Sequence, residues 1–538
     1  MTSHKTVVRA AGLMMVAILA SRLLGLVREM LIARQFGQTG LVSAYTNAFN
    51  LPDLLYFLLS SGALSAAFIP VFTERFHTGR PKEAWQIFSI IACFMGLVLG
   101  GAVVLMEVFA TPLVKVLAVP GFVDKHPELV RETTILTRIV LPCQLMFFFG
   151  ALMMGTLESR QNFWARAASP VIYNLGIIFG VVYLSRWFDI RGVALGALIG
   201  AFAGNIVFAY WTLRRAGYEF APSLNIRHPG VVTVGKLALP VILGLSLPQI
   251  DVIINKWFAS FVSDEAPAAL NYANRLMQLP LGIFAQALGT AILPTLSAYA
   301  ARNAIGDLRS GISLGLRAVL ALNIPASLFV VLTADLLVRA VYMSGEFAHG
   351  TPNQVSARVA ATAVPLVFYS AGIFAWAGQA IVARGFSAMQ DTLTPVILGS
   401  IATAVFIPLN WVLMRAMGNA GLALATSIAA AGHLVALTIC IRKRLHGIEG
   451  GKIVRSLAKT CAATAVMGVA VWGAQAQLAH VVHAETQRGA ALTVLVCMLV
   501  ATVVYIAAVK ALKLEEAEFV MSAVKERLSR RSGGELES

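Results

Sequence analysis

Long apolar stretches recur along almost the whole chain and constrain its fold more than any other feature. A helix of about 20 apolar residues crosses a bilayer, and polar gaps divide this sequence into about fourteen such stretches. Of its 538 residues, 58% are hydrophobic and 13% are charged, whereas soluble domains carry about 25% charged residues. The sequence therefore predicts an all-α polytopic membrane protein with about 14 transmembrane helices.

Basic residues indicate the topology of these helices. The chain has 42 Lys and Arg residues against 26 Asp and Glu residues, and the basic ones concentrate in alternate loops, which is typical of cytoplasmic loops. Both termini are therefore predicted to face the cytoplasm. A nucleic-acid partner is not predicted, because the basic residues lie in short loops without an interleaved aromatic platform.

A long polar connection predicts two lobes. Residues 216–232 form the longest predicted inside connection of the first half, and they separate an N-terminal lobe at 1–215 from a C-terminal lobe at 233–513. At 514–538, apolar residues recur on one helical face, which favours an amphipathic cytoplasmic tail on the membrane surface. A solvated tail is the alternative.

Enzyme and metal motifs are absent from the sequence. The five cysteines lie singly in apolar stretches and predict neither a disulfide nor a metal site. The sequence has no catalytic serine, zinc-protease or phosphate-loop motif. We expect a transporter rather than an enzyme, with no cofactor and an external energy source.

Arginines inside apolar stretches are the strongest functional signal. Arg22 lies more than about ten residues from either end of the first stretch, too deep for its side chain to reach water easily, so it is expected to face a cavity or partner. Arg28 lies nearer one end, and Glu29 follows it. A purely structural ion pair is the alternative reading of Arg28 and Glu29. Arg275 is the corresponding candidate in the second lobe.

Guanidinium groups suit phosphate because they stay ionised and donate paired hydrogen bonds. These arginines therefore predict an anion site, whereas Arg138 and Arg317 are interpreted as interfacial anchors near helix ends. Asp251, Asn255, Asn410 and Thr426 form a candidate cation-coupling set, with helix–helix hydrogen bonding as the alternative.

Several motifs along the chain resemble one known family. They are SRLLGLVRE at 21–29, GALS at 62–65, FIP at 68–70, NRLMQLPLGIF at 274–284, AMQDT at 388–392 and GLALAT at 421–426. The chain resembles the MurJ (MviN) family of bacterial lipid II flippases, within the multidrug/oligosaccharidyl-lipid/polysaccharide exporter superfamily.

The resemblance implies fourteen helices in two lobes around a central cationic cavity. It implies alternating access that carries lipid II, the undecaprenyl-diphosphate-MurNAc-pentapeptide-GlcNAc precursor, from the inner to the outer leaflet of the bacterial inner membrane. Arg22, Arg28 and Arg275 match arginines that the family needs. The implied partners are lipid II and membrane lipids. The protein is expected to be a monomer, which could associate with cell-wall synthesis proteins. Sodium, protons or the membrane potential would supply the energy.

The chain also departs from the family at several positions. Tyr56 stands where the family usually has an arginine, and Ser43 and Ser61 stand where it usually has acids. At the sodium site of some members, this chain has Asn255, Asn410 and Phe406. These departures keep open a flippase for another polyprenyl-linked glycan. A cation-coupled drug antiporter is disfavoured by the buried arginines, and a non-transporting scaffold would not need them.

Overall fold

A computed structural model of the protein describes residues 2–59, 63–160, 162, 164–246 and 250–516. All regular elements in these ranges are helices. The described residues form two compact units. The first contains Met1–Ala268 and Ser344–His349, and the second contains Ala269–Met343 and the chain from Gly350 onward.

The first unit is built from long apolar helices broken by short polar turns. Its α-helices are α1 (Thr2–Phe36), α2 (Gly40–Ala48), α3 (Asn50–Leu59), α4 (Ala63–His77), α5 (Pro81–Val108), α6 (Ala110–Leu113), α7 (Pro127–Val140), α8 (Cys143–Ser159), α9 (Trp164–Phe179), α10 (Ser185–Phe188), α11 (Ile190–Ala201), α12 (Ala209–Arg215), α13 (Pro229–Ser246) and α14 (Ile250–Val262). Its π-helical segments are Val114–Ala118, Gly180–Leu184 and Phe202–Phe208, and its 3-10 turns are Pro120–Phe122 and Gly345–Ala348.

The second unit has fewer and longer helices, and α15 starts just before it. They are α15 (Ala266–Ala301), α16 (Ile305–Leu332), α17 (Ala334–Tyr342), α18 (Pro352–Ser370), α19 (Ile373–Ala388), α20 (Leu393–Met417), α21 (Asn419–Arg444), α22 (Gly450–Leu478) and α23 (Gln487–Ala511).

Helices α13 and α14 belong to the first unit by packing, although both follow the predicted linker. Helix α13 packs against α4, and α14 packs against the 3-10 turn Pro120–Phe122. The lobe boundary at 216–232 concerns the parts that move against each other, so it stays a prediction. The predicted tail lies outside the described residues from position 517 onward.

Nine helices within the described ranges are long and apolar enough to cross a membrane, or ten if the bent pair α18 and α19 counts as one span. The polytopic all-helical fold is confirmed, whereas the exact count of 14 is not. Large apolar side chains such as Leu97, Val469 and Leu499 are more than 60% exposed. Such outward-facing side chains suit lipid contact, because hydrocarbon solvates them as well as a protein core does.

Glycines bring α9 and α11 into backbone contact. A Cβ atom on Gly176 would lie 2.3 Å from the Cα of Gly200, and one on Gly196 would lie 2.6 Å from the Cα of Gly180. Gly176 and Gly180 are four residues apart, as are Gly196 and Gly200, so each pair lies on one helix face. Small residues at this spacing permit close packing of membrane helices. The contact fixes the position of α9.

Arg317 corrects one expectation. It was interpreted as an interfacial anchor, but it is buried in α16 and forms ion pairs with Glu515 and Glu516. A lone arginine near a helix end would reach toward headgroups. Carboxylates nearly two hundred residues later in the sequence provide a partner inside the protein instead.

Candidate functional site

One face of α1 packs against a single asparagine of α9. Ser21, Gly25 and Arg28 recur at spacings of four and three residues, which places them on one side of the helix. Asn174 lies opposite this face. Its side-chain Nδ2 donates to the backbone oxygen and the Oγ of Ser21, both at 3.3 Å, and its Oδ1 accepts from Nη1 of Arg28 at 3.1 Å.

Gly25 lies between Ser21 and Arg28 on this face, and the approach of Asn174 does not require a glycine there. A Cβ atom on Gly25 would lie 3.9 Å from Oδ1 of Asn174, and it would meet no closer atom. The helix α1 continues unbroken from Thr2 to Phe36, so Gly25 does not interrupt it. In a regular helix, Arg22 and Arg28 are therefore about 9 Å apart along the axis and about 120° apart around it.

Arg28 and Glu29 form a buried ion pair. The Nη2 of Arg28 lies 2.5 Å from Oε1 of Glu29, and their side chains are 12% and 5% exposed. The Nε of Arg28 is buried without a hydrogen-bond partner in the described part of the chain. The phenol groups of Tyr45 and Tyr173 lie within electrostatic range of Arg28. The pair itself is what the structural alternative predicts, and the binding of an anion by Arg28 stays a prediction.

A cavity of about 400 Å³ lies beside this cluster in the first unit, and Tyr173, the neighbour of Asn174, is part of its wall. The walls mix aromatic rings with polar side chains. The polar and charged members of its lining are Asp53, Tyr56, Gln144, Arg166, Ser169, Tyr173 and Asn205.

Tyr56 and Arg166 line the same cavity. The Tyr56 ring meets the Phe147 ring edge-on, with the ring centroids 6.3 Å apart. Arg166 forms an ion pair with Glu158 and remains 45% exposed. Where the resemblance leads one to expect an arginine at position 56, the cavity has a tyrosine, and Arg166 supplies a cation from α9.

The two other predicted arginines are not members of this pair. Arg22 is half-buried on α1, and no hydrogen bond or ion pair holds its guanidinium within the described ranges. Arg275 is exposed on α15 and belongs to the second unit. The sharing of one cavity by Arg275 and the arginines of α1 stays a prediction.

The cation-coupling candidates are divided between the two units. Asp251 is half-buried and Asn255 is buried on α14 of the first unit, whereas Asn410 is buried on α20 of the second unit. Thr426 donates to the backbone oxygen of Leu422 at 2.8 Å within the same helix, and this bond does not test the helix–helix alternative. Among the described residues, no cluster of three or more His, Cys, Asp or Glu side chains could hold a metal ion. The coupling role stays a prediction.

Two of the departures, Ser43 and Phe406, are buried in the structure, and a third lies outside the described residues. Ser43 is fully buried, and its Oγ accepts a hydrogen bond from the backbone nitrogen of Ala268 at 3.2 Å. Phe406 is buried on α20 one turn before Asn410, and it offers no oxygen ligand. Ser61 is the departure that the structure does not describe.

Sequence reasoning missed Asn174, Tyr173 and Arg166. The available signal was a polar amide in an apolar stretch, because such groups seek a hydrogen-bond partner inside the protein. Asn174 is not ionisable, and Arg166 lies in the first turn of α9, where an arginine is typical of the membrane surface.

Comparisons with known proteins agree with this fold. A family model described as lipid II flippase MurJ matches residues 32–490. A probable lipid II flippase MurJ of Vibrio cholerae is 30% identical over 513 residues, covering 93% of this chain and 95% of the relative. The lipid II flippase MurJ of Burkholderia cenocepacia is 30% identical, covering 79% of this chain and 82% of the relative.

Solved structures match the fold. A lipid II flippase MurJ in an inward closed conformation superposes with a TM-score of 0.76 at 23% identity, covering 92% of this chain and 97% of that one. An inward-facing multidrug transporter of the MATE family gives a TM-score of 0.64 at 15% identity, covering 80% and 96%. The family match over most of the chain, together with the relatives, shows that the protein belongs to the lipid II flippase MurJ family.

Proposed function

We propose that this protein is a lipid II flippase that moves undecaprenyl-diphosphate-linked peptidoglycan precursor from the inner to the outer leaflet by alternating access. Membership of the MurJ family supports the substrate. The single structural observation that carries the proposal is the buried Arg28, held against Asn174 and Glu29 beside a polar cavity.

Arg28 binds the diphosphate in this proposal, and Arg22, which lies on another face of α1, is assigned to the same substrate on the family resemblance alone. A guanidinium donates paired, charge-assisted hydrogen bonds to phosphate oxygens and stays ionised at any physiological pH. Glu29 holds Arg28 charged and oriented while no substrate is bound. The Glu29 carboxylate occupies the place of a phosphate oxygen in the empty protein. Substrate binding therefore exchanges one anion for another at Arg28, and the carboxylate can displace the diphosphate again when lipid II is released.

Arg166 takes the part of the arginine that Tyr56 replaces. It lines the cavity that Tyr56 lines, and its partner Glu158 can yield to a phosphate in the way that Glu29 does. Arg275 contributes a further cation from the second unit. Both assignments rest on charge chemistry and on the family resemblance.

The energy source follows from the absence of a phosphate-loop motif in the sequence. The substrate carries negative charge outward, and a membrane potential that is negative inside provides about 2.3 kcal/mol per elementary charge at 100 mV. A sodium or proton gradient acting through Asp251, Asn255, Asn410 and Thr426 is the other source. We place the protein in the bacterial inner membrane with both termini in the cytoplasm, as a monomer that works beside cell-wall synthesis proteins.

The experiment is rescue of a bacterium depleted of its own flippase. Arg22→Ala, Arg28→Ala and Arg275→Ala should each abolish rescue while the protein still inserts in the membrane, and Arg34→Ala should rescue normally. Arg34 is a matched control because it lies exposed on the same helix α1. Full rescue by Arg22→Ala and Arg275→Ala would remove them from the site.

A flippase for another polyprenyl-linked glycan is the second candidate, and Tyr56 favours it. Replacing a cavity arginine with a tyrosine removes a charge and adds a ring that can stack on a sugar. Normal membrane insertion without growth rescue and without lipid II in the outer leaflet would support this candidate. Appearance of lipid II in the outer leaflet would exclude it as the main activity.

A further inference from the structure

A basic pocket of about 250 Å³ lies in the second unit, and it shares no lining residue with the cavity described above. It is formed by α16, the first turns of α22, and the segment that follows α23. Its lining carries five basic and two acidic side chains, together with Ser456 and Leu514. The charged members are Arg317, Lys452, Arg455, Lys459, Lys513, Glu515 and Glu516.

Arg317 forms the inner wall of the pocket. Its side chain is 9% exposed, and its Nη1 pairs with Glu516 and lies 3.4 Å from Glu515. The Nε of Arg317 is buried and has no hydrogen-bond partner in the part of the chain that the structure describes. The buried guanidinium therefore keeps a donor unsatisfied, which is costly unless another acceptor arrives.

The other cations differ in how firmly they are held. Lys459 donates to the backbone oxygens of Leu512 and Lys513 at 2.7 and 3.2 Å, so it fixes the end of α23. Lys452 pairs with Glu449 at 2.8 Å. Arg455 is exposed and has no partner in the described ranges. The pocket thus holds more positive charge than its two lining carboxylates neutralise.

We infer that this pocket binds the phosphate group of an anionic ligand, and that Glu515 and Glu516 occupy the place of its oxygens when the pocket is empty. Arginine and lysine together recognise phosphate by paired hydrogen bonds and charge. The pocket is smaller than the roughly 300–1,000 Å³ of typical organic-ligand sites and suits a single phosphate group. Phosphate displaces Glu515, which is 79% exposed, and satisfies Nε of Arg317.

The surroundings favour a lipid headgroup as the source of this phosphate. Val454 and Leu457 flank Arg455 and Ser456 on α22, and they are 66% and 39% exposed. Exposed apolar side chains beside cations suit the boundary between acyl chains and headgroups. Basic pockets between membrane helices on the cytoplasmic side bind anionic headgroups elsewhere. A soluble phosphate compound has the same recognition chemistry.

The test is a binding titration of the purified full-length protein in detergent. The probes are short-chain phosphatidylglycerol, short-chain phosphatidylcholine and inorganic phosphate. Arg455→Gln removes an exposed cation that has no partner among the described residues. It should weaken binding of the anionic probe about five- to tenfold. Arg442→Gln is the matched control, because it removes an exposed cation from the last turn of α21 outside the lining. Glu515→Gln should tighten binding several-fold.

The outcomes are distinct. Saturable binding of phosphatidylglycerol over phosphatidylcholine identifies a headgroup site, and binding of inorganic phosphate without the lipid identifies a soluble ligand. Unchanged thermal unfolding of Arg455→Gln without ligand shows that its effect is on binding. The inference fails if neither phosphatidylglycerol nor inorganic phosphate binds saturably. It also fails if Arg455→Gln and Arg442→Gln have the same affinity, or if Glu515→Gln does not tighten binding.

Discussion

Arg28 in the first unit and Arg317 in the second are both buried arginines paired with glutamate, but their surroundings differ. The partner of Arg28 is its neighbour Glu29 on the same helix, supported by Asn174 from α9. The partners of Arg317 are Glu515 and Glu516, which lie 198 and 199 residues later. The first pair lies within one helix beside a cavity, whereas the second connects α16 to the segment that follows α23.

The comparison teaches that buried ion pairs can serve different ends. Neither pair is explained by stability, because desolvation offsets most of the attraction between buried charges. Around Arg28, packing fixes a guanidinium beside a polar cavity. Around Arg317, an excess of cations leaves room for an anion that is not part of the chain.

The largest expected effect is loss of transport when Arg28 loses its geometry. Arg28→Lys keeps the charge but cannot donate to Asn174 and Glu29 in the same fork. Arg28→Lys also loses the paired, charge-assisted hydrogen bonds to the diphosphate, about 3 kcal/mol, which predicts about a hundredfold slower lipid II transport. The measurement is the transport rate in depleted cells, with Arg34→Lys as the control on α1. Equal rates for the two variants would mean that Arg28 serves only as a point charge or a structural residue.

The next effect is a loss of stability at Arg317. Arg317→Gln leaves Glu516, which is 2% exposed, buried without its cation, and removing one member of a buried pair costs about 3–5 kcal/mol. Thermal unfolding in detergent should show a lower midpoint, and Arg317→Gln combined with Glu516→Gln should recover part of it. The exposed Arg455→Gln is the control. An unchanged midpoint for Arg317→Gln would contradict the buried pairing of Arg317 with Glu516.

A smaller effect concerns helix packing, which should matter for the Arg28 cluster of the first unit and not for the basic pocket of the second unit. Gly196→Ala places a Cβ 2.6 Å from the Cα of Gly180, so α9 must shift and carry Asn174 with it. Overpacking of this kind costs about 1–3 kcal/mol. We expect a lower unfolding midpoint and slower transport, with phosphate binding in the second unit unaffected. Gly432→Ala is the control, because a Cβ there meets nothing within 4 Å; identical behaviour of both variants would refute the packing argument.

The smallest effect concerns an ion pair in a loop of the second unit. Burial raises the pKa of Asp391, but hydrogen bonds from Thr394 and the charge of Arg444 outweigh it and hold the pKa below its usual value of 3.8. The stabilisation is therefore complete above the unfolded-state pKa and is lost as the pH falls through the lower folded-state pKa.

Asp391→Asn should thus lower the free energy of unfolding at pH 7, by no more than about 1 kcal/mol for a pair with one exposed partner. The unfolding midpoint should fall accordingly. The difference from the unchanged protein should shrink as the pH falls below the unfolded-state pKa of aspartate, and it should disappear once the carboxyl is protonated in the folded protein. Thermal unfolding of both proteins at a series of pH values from 7 downward measures this difference. A difference that persists at low pH would assign the effect to packing.

The sequence predicted the polytopic helical fold because apolar length is a local property. It also identified Arg28 and Glu29, whose pairing is between neighbours. It did not identify Asn174, because a neutral amide in an apolar stretch is a weak signal. Arg317 was interpreted wrongly, since its acidic partners are remote in the sequence and only tertiary packing brings them together.

The most direct test of the central claim is the exposure of lipid II in the outer leaflet of flippase-depleted cells that express this chain. The unchanged protein should restore exposure, and Arg28→Ala should insert at the same level without restoring it. Restoration by Arg28→Ala, or no restoration by the unchanged protein, would contradict the proposal that the Arg28 cluster binds lipid II for transport.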